Sequence, residues 1–341
     1  MKRLLAIFAC ALCVACDSNE SEDARSWIKL GLDGLTVNEL VISDENLYAA
    51  TSDGIFKKSL DGADEFKRIG LVAMNVEDMV IYSSQKILAS FVDRTYTEVP
   101  GLYVTTNGGK DWTKVESDFG GAAHEPIFDL VADADNDEIL YAGGLGVVAA
   151  SVDGGESWTP IWGEWQRIAT GVTIVTISPT EKIVWAGGQG AIEDGFLIRN
   201  PGSDDEKVWY DLLPNPTVAK EIVFKGADLV LAGWEGGLIR SQDGGDTWKT
   251  IIESDEYRFF FGVGLGQKPG RVYAGGWLKG RQTQPLKLFV SDDNGEEWRT
   301  LEWPNEDKGG IFDLQVQSTP KGDRIFLGLD QGGVYEVKIR N

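Results

Sequence analysis

Short apolar runs separated by turns rich in Gly, Asp and Asn recur along this chain from about residue 27 to its end. Seven of these runs open blocks of similar length, and we predict first strands beginning near Val37, Val76, Ile127, Val172, Ala219, Phe260 and Ile311. In several blocks the second run is apolar and then rich in glycine, as at 141–144, 185–188, 231–234 and 273–276. Runs of this length bounded by turn residues are typical of strands, so the pattern predicts an all-β chain.

One turn motif recurs in step with the blocks. It reads Ser-x-Asp-Gly-Gly-x-Ser/Thr-Trp or close to it at 105–112, 151–158, 241–248 and 291–298, with a worn copy at 59–66; we call these segments the repeat turns. Glycine supplies the positive φ that a tight turn between two strands requires. The Asp or Asn side chain can accept backbone N–H bonds, and the Ser or Thr hydroxyl adds another. The closing Trp starts the next strand and offers an apolar face to the neighbouring sheet.

The spacing of the repeat turns predicts the architecture. Ser59 and Thr105 are 46 residues apart, Thr105 and Ser151 are again 46 apart, and Ser241 and Ser291 are 50 apart. A period of about 40–50 residues with four strand-like runs is typical of a propeller blade. In the fourth block the turn is degenerate, with Asn200 in its place and Trp209 as the expected Trp.

The two ends of the repeat region are each incomplete. Residues 27–30 read like the strand that follows a repeat turn, whereas the last block supplies only three strands, at 311–317, 324–329 and 333–339. Placing 27–32 as the fourth strand of the last blade removes both exposed edges. We therefore predict one domain over 27–341, a single seven-bladed β-propeller of four-stranded blades closed by its N-terminal strand.

The repeat turns resemble the Asp box, or BNR repeat, of sialidase-like β-propellers. Over about 27–341 the chain also resembles single-domain propellers related to the photosystem II assembly factor. That second resemblance implies a module, often exported or lipid-anchored, that holds a membrane protein during assembly. Both resemblances rest on motifs of the fold.

The first sixteen residues are expected to lie outside the fold. Lys2 and Arg3 precede a short apolar stretch at 4–15, which is typical of a secretory signal and too short to span a bilayer. Cys16 comes after Val14-Ala15 and resembles the lipobox cysteine of bacterial lipoproteins, although Cys13 stands where that family has Leu. We expect Cys16 to bear the lipid anchor; ordinary cleavage after Ala15 is the alternative.

The segment after Cys16 is relevant to the cellular location of the protein. Residues 17–26 are acidic and rich in small residues, which predicts a flexible tether. Asp17 resembles an inner-membrane retention signal, and the outer membrane is the alternative. All three cysteines lie at or before position 16, so the exported domain would have no disulfide bond. We expect a monomer on the periplasmic side of a bacterial membrane, associated with that membrane through the lipid alone.

The net charge of the chain restricts the classes of binding partner that we expect. The chain has 32 Lys plus Arg against 54 Asp plus Glu and a formal net charge of −22. Nucleic-acid binding through phosphates needs a basic face, so no nucleic acid is expected. A membrane or periplasmic protein, or a glycan, is the expected partner.

An acidic residue recurs at the third position of the innermost strand in five blocks, at Glu39, Asp78, Asp129, Glu221 and Asp313. By the symmetry of a propeller, these carboxylates should surround one mouth of the central channel. They could bind a cation there, and oxygen ligands would favour a hard cation such as Ca²⁺. Alternatively, each carboxylate bonds backbone N–H groups of a neighbouring blade. We favour this architectural interpretation, because a residue repeated in most blades usually serves the fold. No other cofactor is expected.

Aromatic residues and arginines are predicted on loops of the same face. Trp234, Trp277 and Arg281 are the candidate binding residues, and Trp162, Trp165 and Trp303 fall in the same class of loops. Long loops on a rigid scaffold are where recognition residues are commonly placed, and this composition suits a glycan or a protein surface. The alternative is that these Trp side chains pack between blades.

Few residues offer enzymatic chemistry. The chain has one His, His124, and neither a catalytic triad nor a zinc site can be built around it. It has no Cys beyond position 16, which excludes thiol catalysis in the domain. Sialidases have an Arg on an inner strand, and none is predicted here. Two carboxylates of the acidic ring, or Glu235 or Asp194, could still hydrolyse a glycoside. The sequence favours a binding or assembly module, with a carbohydrate-active hydrolase or lyase as the alternative and no catalytic residue assigned.

Overall fold

The computed structural model describes residues 26–93, 100–115, 126–163, 171–189, 195–199, 207–208, 219–234, 236–253, 258–281, 283–303 and 309–340. These residues form 28 strands in seven four-stranded sheets. In each sheet the strands are antiparallel, and neighbours in the chain pair with each other, apart from the N-terminal strand, which pairs with the last strand. The innermost strands of consecutive sheets contact one another around a ring. The chain is a seven-bladed β-propeller, as the repeat period predicts.

The strands are assigned to blades in chain order. Blades one to three are formed by β2 (Val37–Ser43), β3 (Asn46–Thr51), β4 (Gly54–Ser59) and β5 (Lys67–Gly70); β6 (Val76–Ile81), β7 (Ile87–Phe91), β8 (Gly101–Thr105) and β9 (Thr113–Lys114); and β10 (Ile127–Asp133), β11 (Asn136–Gly144), β12 (Val147–Ser151) and β13 (Thr159–Gly163). Blades four and five are formed by β14 (Gly171–Ile177), β15 (Val184–Gln189), β16 (Gly195–Arg199) and β17 (Lys207–Val208); and β18 (Ala219–Lys225), β19 (Leu229–Trp234), β20 (Gly237–Ser241) and β21 (Lys249–Glu253). Blade six is formed by β22 (Arg258–Leu265), β23 (Val272–Leu278), β24 (Lys287–Ser291) and β25 (Arg299–Glu302), and blade seven begins with β26 (Ile311–Thr319), β27 (Gly322–Leu329) and β28 (Gly333–Ile339).

The N-terminal strand completes the last blade. β1 (Ser26–Gly31) pairs antiparallel with β28, with Ser26 opposite Lys338 and Lys29 opposite Tyr335. Its bounds are one residue earlier at each end than the predicted 27–32. On its other face, Trp27 meets Trp303 of blade six edge to face, with ring centroids 5.6 Å apart. The predicted closure of the ring by this strand is confirmed.

The apolar core is divided among the blade interfaces. Seven clusters of buried side chains are found within the described residues, and each draws its members from two adjacent blades. Between blades seven and one, for example, Val37 and Leu47 pack with Phe326 and Val334, all 0 % exposed. A propeller of this kind is therefore stabilised by contacts between neighbouring repeats rather than by one central core.

The glycines of the second strands allow adjacent blades to approach closely. A Cβ on Gly275 of β23 would lie 2.5 Å from the Ile311 side chain, and one on Gly233 would lie 2.4 Å from the Phe260 carbonyl oxygen. In both pairs the contacted residue belongs to the innermost strand of the following blade. This contact explains why apolar residues followed by glycine recur in the second runs of the sequence.

The repeat turns have the expected internal bonding. In blade five, Ser241 Oγ donates to Asp243 Oδ1 at 2.7 Å and accepts a bond from the Gly245 N–H at 2.7 Å. Asp243 Oδ1 also accepts from the Thr247 N–H at 2.8 Å. Gly244 and Gly245 both have positive φ, at 69° and 94°. The closing Trp248 lies edge to face with Trp185 of blade four, so the turn also joins two blades.

Several sequence-based expectations fall outside the described residues. These are the signal segment with Cys16, the tether residues 17–25 with Asp17, and Trp165, Trp209, His124, Asp194 and Glu235. Within the described part of the chain, no helix has the length and apolarity needed to cross a membrane.

Candidate functional site at the channel mouth

The five acidic residues surround one cavity. Glu39, Asp78, Asp129, Glu221 and Asp313 all line a space of about 390 Å³ enclosed by the innermost strands. Each lies at the third position of its strand, just after a register shift that separates it from the first residue. Blades four and six have Ile174 and Gly262 at the corresponding position.

Four of the carboxyl groups join one blade to the next. Each accepts a bond from the backbone N–H of the residue that comes after the acidic position in the following blade. These blade staples link Asp313 to Leu40 at 2.6 Å, Glu39 to Met79 at 2.8 Å, Asp78 to Leu130, and Asp129 to Val175 at 2.5 Å. A buried N–H without a partner would cost free energy, so the staples stabilise the ring. The geometry supports the architectural interpretation for these four residues.

Glu221 differs from the other four. Its Oε1 accepts from the N–H of Ile222 at 3.0 Å, the next residue of its own strand, rather than from a neighbouring blade. The following blade has Gly262 at the acidic position and the aromatic Phe261 just before it. Glu221 is therefore the acidic residue of the ring whose carboxyl group makes no staple.

Burial makes the ring less charged than five carboxylates would suggest. Desolvation raises the pKa of Glu39, Asp129 and Glu221 well above the ordinary values, and raises the pKa of Asp313 to about 6. The nearby Asp78 charge raises the pKa of Glu39 further, and a hydrogen bond between the two carboxyl groups acts in the same direction. A protonated carboxyl group beside an ionised one relieves the repulsion expected among like charges.

A second ring lies immediately beside the first, and sequence reasoning missed it. The residue displaced by the bulge in each innermost strand lines the same cavity, namely Asn38, Glu77, Phe128, Thr173, Lys220, Phe261 and Phe312. The sequence does contain a signal for this second ring, because each of its residues directly precedes the strand position that is acidic in five blades. Strict strand alternation would turn that residue away from the channel, and only the bulge redirects it.

The aromatic members are concentrated on one side of the mouth. Phe261 and Trp277 stack at 6.2 Å between ring centroids, and Phe312 meets both edge to face at 5.5 and 5.6 Å. All three rings are partly exposed. Lys220 Nζ lies 5.6 Å from the Phe261 ring centre. We call Lys220, Glu221, Phe261, Trp277 and Phe312 the aromatic wall.

The other candidate binding residues are placed differently. Trp277 lines the cavity, and its Nε1 donates to Asp330 Oδ2 at 3.1 Å. Trp234 was expected on a recognition loop, but it ends β19 and is 1 % exposed within the interface of blades four and five. That expectation is wrong for Trp234, because the ring completes an apolar cluster and leaves no face for a ligand. Arg281 is exposed on the turn after β23 and does not line the cavity.

The remaining described Trp residues of this class pack between elements. Trp162 lies in β13 and stacks on Phe196 of blade four at 5.5 Å. Trp303 lies between Trp27 and Tyr335, at 5.6 and 5.3 Å. The alternative that these side chains pack between blades applies to both.

The geometry gives no support to a calcium site at the ring. Among the described residues, no group of three or more His, Cys, Asp or Glu side chains is placed to hold a metal ion. In four of the ring carboxyl groups, one oxygen already accepts a backbone N–H bond from the following blade.

An Arg does begin one inner strand, contrary to the sequence expectation. β22 starts at Arg258, two residues before the predicted start at Phe260. Arg258 is 5 % exposed, and its Nη1 donates to the Gly276 carbonyl at 3.5 Å. Its side chain serves the blade rather than the lining of the channel, since Arg258 does not border the cavity.

No family model matches this chain. In sequence it is 25 % identical over 260 residues to a probable oligoxyloglucan-reducing end-specific xyloglucanase of Neosartorya fischeri, which covers 69 % of this chain and 31 % of that protein. It is also 28 % identical over 99 residues to the uncharacterised protein YCR101C of Saccharomyces cerevisiae, which covers 28 % of this chain and 50 % of that protein. The chain thus spans half or less of the length of these relatives.

Solved propellers match over nearly the whole chain. YCF48 from Cyanidioschyzon merolae has a TM-score of 0.63 at 15 % identity and covers 92 % of this chain and 98 % of its own. YCF48 bound to D1 peptide has a TM-score of 0.61 at 15 % identity, covering 93 % and 95 %. The GH74 xyloglucanase from Xanthomonas campestris has a TM-score of 0.65 at 12 % identity, covering 92 % and 53 %. These likenesses show the propeller fold.

Proposed function

We propose that this protein is a non-catalytic binding module that holds a segment of another protein at the channel mouth. The observation behind the proposal is the aromatic wall. Three partly exposed aromatic rings lie in mutual contact beside Lys220 and Glu221, in a cavity that the rigid blades hold open. Preformed aromatic pockets with a few polar groups are typical of recognition sites.

The dimensions and charge of the cavity define the ligand. A space of about 390 Å³ accepts one or two side chains of a peptide rather than a folded domain. An apolar or aromatic side chain would pack against Phe261, Trp277 and Phe312. A neighbouring basic side chain would bond Glu221, whose second carboxyl oxygen makes no hydrogen bond within the described residues, and would favour its ionised form. The likeness to a propeller with a bound peptide supports this proposal.

We further propose that the module is exported and tethered by a lipid on Cys16, in the manner of an assembly factor with an Asp-box fold. The nine residues 17–25 can span at most about 30 Å. Such a tether would keep the propeller close to a bilayer and give it access to segments of membrane proteins. Asp17 favours the inner membrane.

Site-specific crosslinking tests the binding proposal. A photo-activated residue at position 220 samples the channel mouth, and the same residue at Val152, which is 74 % exposed on a repeat turn, is the matched control. After irradiation in native membranes, we expect one protein to be captured from position 220 and not from position 152. Phe261→Ala with Phe312→Ala should abolish that capture. Equal capture from both positions, or capture that survives the double substitution, would reject the channel mouth as the site.

A glycoside hydrolase is the second candidate. The similarity to a xyloglucanase favours it, as do the ring carboxyl groups of raised pKa, which a general acid requires. Incubation with xyloglucan oligosaccharides tests it directly. We expect no release of new reducing ends. Turnover that is lost in Glu221→Gln or Asp129→Asn would establish the hydrolase instead.

A further inference from the structure

A larger cavity lies away from the channel, between the last blade and the first. It has a volume of about 880 Å³ and is lined by the worn repeat turn of blade one, the β26–β27 hairpin, the end of β28, and β1. Both β1 and the end of β28 border it, so it marks the place where the ring closes. We call this space the seam cleft.

The worn turn explains why a cleft remains at this interface. In the complete turns the Ser or Thr hydroxyl binds the N–H of the second glycine, as Ser151 Oγ does with Gly155 at 2.9 Å. That glycine then packs against the preceding blade, where a Cβ on Gly155 would lie 3.1 Å from Leu88. In blade one Ala63 replaces the glycine, and the Ser59 hydroxyl makes no such bond within the described residues. Residues 61–65 are exposed instead of being packed against blade seven.

An Arg of the preceding blade holds the worn turn in place, as in two of the complete turns, but it bonds different positions of the turn. Arg240 of blade five donates to the Asn294 carbonyl at 2.9 Å and pairs with Glu296 in the turn of blade six. Arg324 of blade seven instead bonds the second and third residues of the worn turn: it donates to the Leu60 carbonyl at 2.9 Å and pairs with Asp61 at 3.2 Å. The worn turn therefore forms a fixed side of the seam cleft.

The charge of the seam cleft is opposite to that of the whole chain. Its lining contains five basic residues and three acidic ones, in a protein with a net charge of −22. The acidic ones are already bonded: Asp323 accepts from Gln267 N–H and Tyr273 Oη, Glu336 pairs with Arg324 at 2.5 Å, and Asp61 pairs with Arg324. Lys321 and Arg340 are exposed at the rim and form no ion pair within the described residues.

Apolar side chains form the floor between these cations. Leu30 and Ile28 come from β1 and Leu60 from the worn turn. Ile28 is 37 % exposed, one of few large apolar side chains on the described surface to be so exposed. A cavity of several hundred Å³ with an apolar floor and a few charged groups at its rim is typical of small-molecule sites.

We propose that the seam cleft binds a small amphiphilic anion. Its carboxylate or phosphate head pairs with Lys321 and Arg340, because charge-assisted hydrogen bonds from an ammonium or guanidinium group are stronger than hydrogen bonds between neutral groups. Its aliphatic chain lies along Ile28, Leu30 and Leu60, where it removes apolar area from water. This site is independent of the channel mouth.

Calorimetric titration of the purified full-length protein tests the proposal with dodecanoate and dodecyl phosphate as probes. Each should bind with one-to-one stoichiometry below its micelle concentration, whereas dodecyltrimethylammonium should not bind. Lys321→Ala with Arg340→Ala should weaken the affinity for both anions by at least tenfold, and Ile28→Ser should weaken it by several fold. The matched control, Lys67→Ala with Lys268→Ala, removes two exposed cations outside the cleft and should leave the affinity unchanged.

The experiment answers two questions: whether the cleft binds an amphiphilic anion, and whether that anion lies in a bilayer or is free in solution. If phosphatidylglycerol vesicles also bind, and bind less after the Lys321 and Arg340 substitutions, the cleft takes a head group in a bilayer. If vesicles do not bind but the free amphiphiles do, the cleft takes a detached molecule. Either result supports the site. Absence of binding by both anions, equal binding of the cationic amphiphile, or equal weakening in the control variant would overturn it.

Discussion

The Asp313 carboxyl group in the last blade accepts a hydrogen bond of 2.6 Å from the Leu40 backbone N–H in the first blade, across 273 residues of sequence. Both residues are buried, and the bond joins the last blade to the first on the inner side of the ring. β1 closes the same ring on its outer side by pairing with β28. The ring is therefore closed twice, once by the staple between blades seven and one and once by the pairing of β1 within blade seven.

Removal of this staple should destabilise the fold. Asp313→Ala leaves the Leu40 N–H buried without a partner, and we expect a loss of about 1–3 kcal/mol in the free energy of unfolding. Asp313→Asn is the matched control, because its amide oxygen can still accept the bond from the Leu40 N–H. Urea denaturation of both variants measures the difference. An equal or larger loss for Asp313→Asn would show that the staple is not the stabilising feature.

Stability should have an unusual dependence on pH. Because the pKa of Asp313 is raised from 3.8 to about 6, the folded protein binds more protons than the unfolded chain between these values. Stability from this group is therefore lost as the pH rises through that window. The raised pKa values of Glu39, Asp129 and Glu221 act in the same direction.

The repeat turns act in the opposite direction. The pKa values of Asp153 and Asp243 are lowered to about 2, first by the side-chain hydrogen bonds from Ser157 and Thr247, so their contribution is lost as the pH falls below 3.8. We expect the melting temperature to be highest near pH 4 and to decline toward neutrality. Asp129→Asn with Glu221→Gln should flatten that decline in differential scanning fluorimetry. A melting temperature that rises steadily from pH 4 to pH 7 would be inconsistent with protonated ring carboxyl groups.

Closure of the ring by β1 can be tested by truncation. A chain beginning at residue 32 exposes the edge of β28, and we expect a lower melting temperature and concentration-dependent aggregation through that edge. A chain beginning at residue 26 keeps β1 and serves as the control. If both truncated chains melt at the same temperature, the strand does not stabilise the ring.

Substitution of two glycines of positive φ can distinguish the cost of backbone strain from the cost of lost close packing. Gly245 in a repeat turn has φ 94°, and a Cβ there would lie 2.3 Å from the Trp185 ring of the preceding blade. Gly226 has φ 68° and open space around it. We expect Gly226→Ala to cost about 1 kcal/mol from strain alone, and Gly245→Ala to cost several kcal/mol because the Trp185 ring must also move. Similar costs for the two substitutions in chemical denaturation would refute a packing role for the turn.

The proposed lipid anchor is tested at its cysteine. Cys16→Ser should abolish labelling by a radioactive fatty acid and leave the protein unprocessed or soluble in an enterobacterial host. Cys13→Ser, three residues earlier, should change neither property. Labelling that persists in Cys16→Ser would show that the lipid is attached at another residue. In a separate test, Asp17→Ser should move the protein to the outer membrane if Asp17 is the inner-membrane retention signal.

The sequence alone determined the architecture because its signals are local and periodic. The spacing of the repeat turns sets the number of blades, and the missing strand of the last block matches the surplus strand before the first. The recurrence of Glu39, Asp78, Asp129, Glu221 and Asp313 at one strand position likewise placed them around the channel. A residue repeated with the blade must occupy an equivalent place in the ring.

The tertiary structure decided what each of these side chains contacts. The staple from Asp313 depends on where the backbone of blade one comes to lie, and no local pattern encodes that distance. A bulge turns Phe261 toward the channel, against strand alternation, and the neighbouring blade buries Trp234. The seam cleft arises because a worn turn meets the first and last strands at one interface. These features depend on the contact between blades, because each blade buries its apolar faces only against its neighbours.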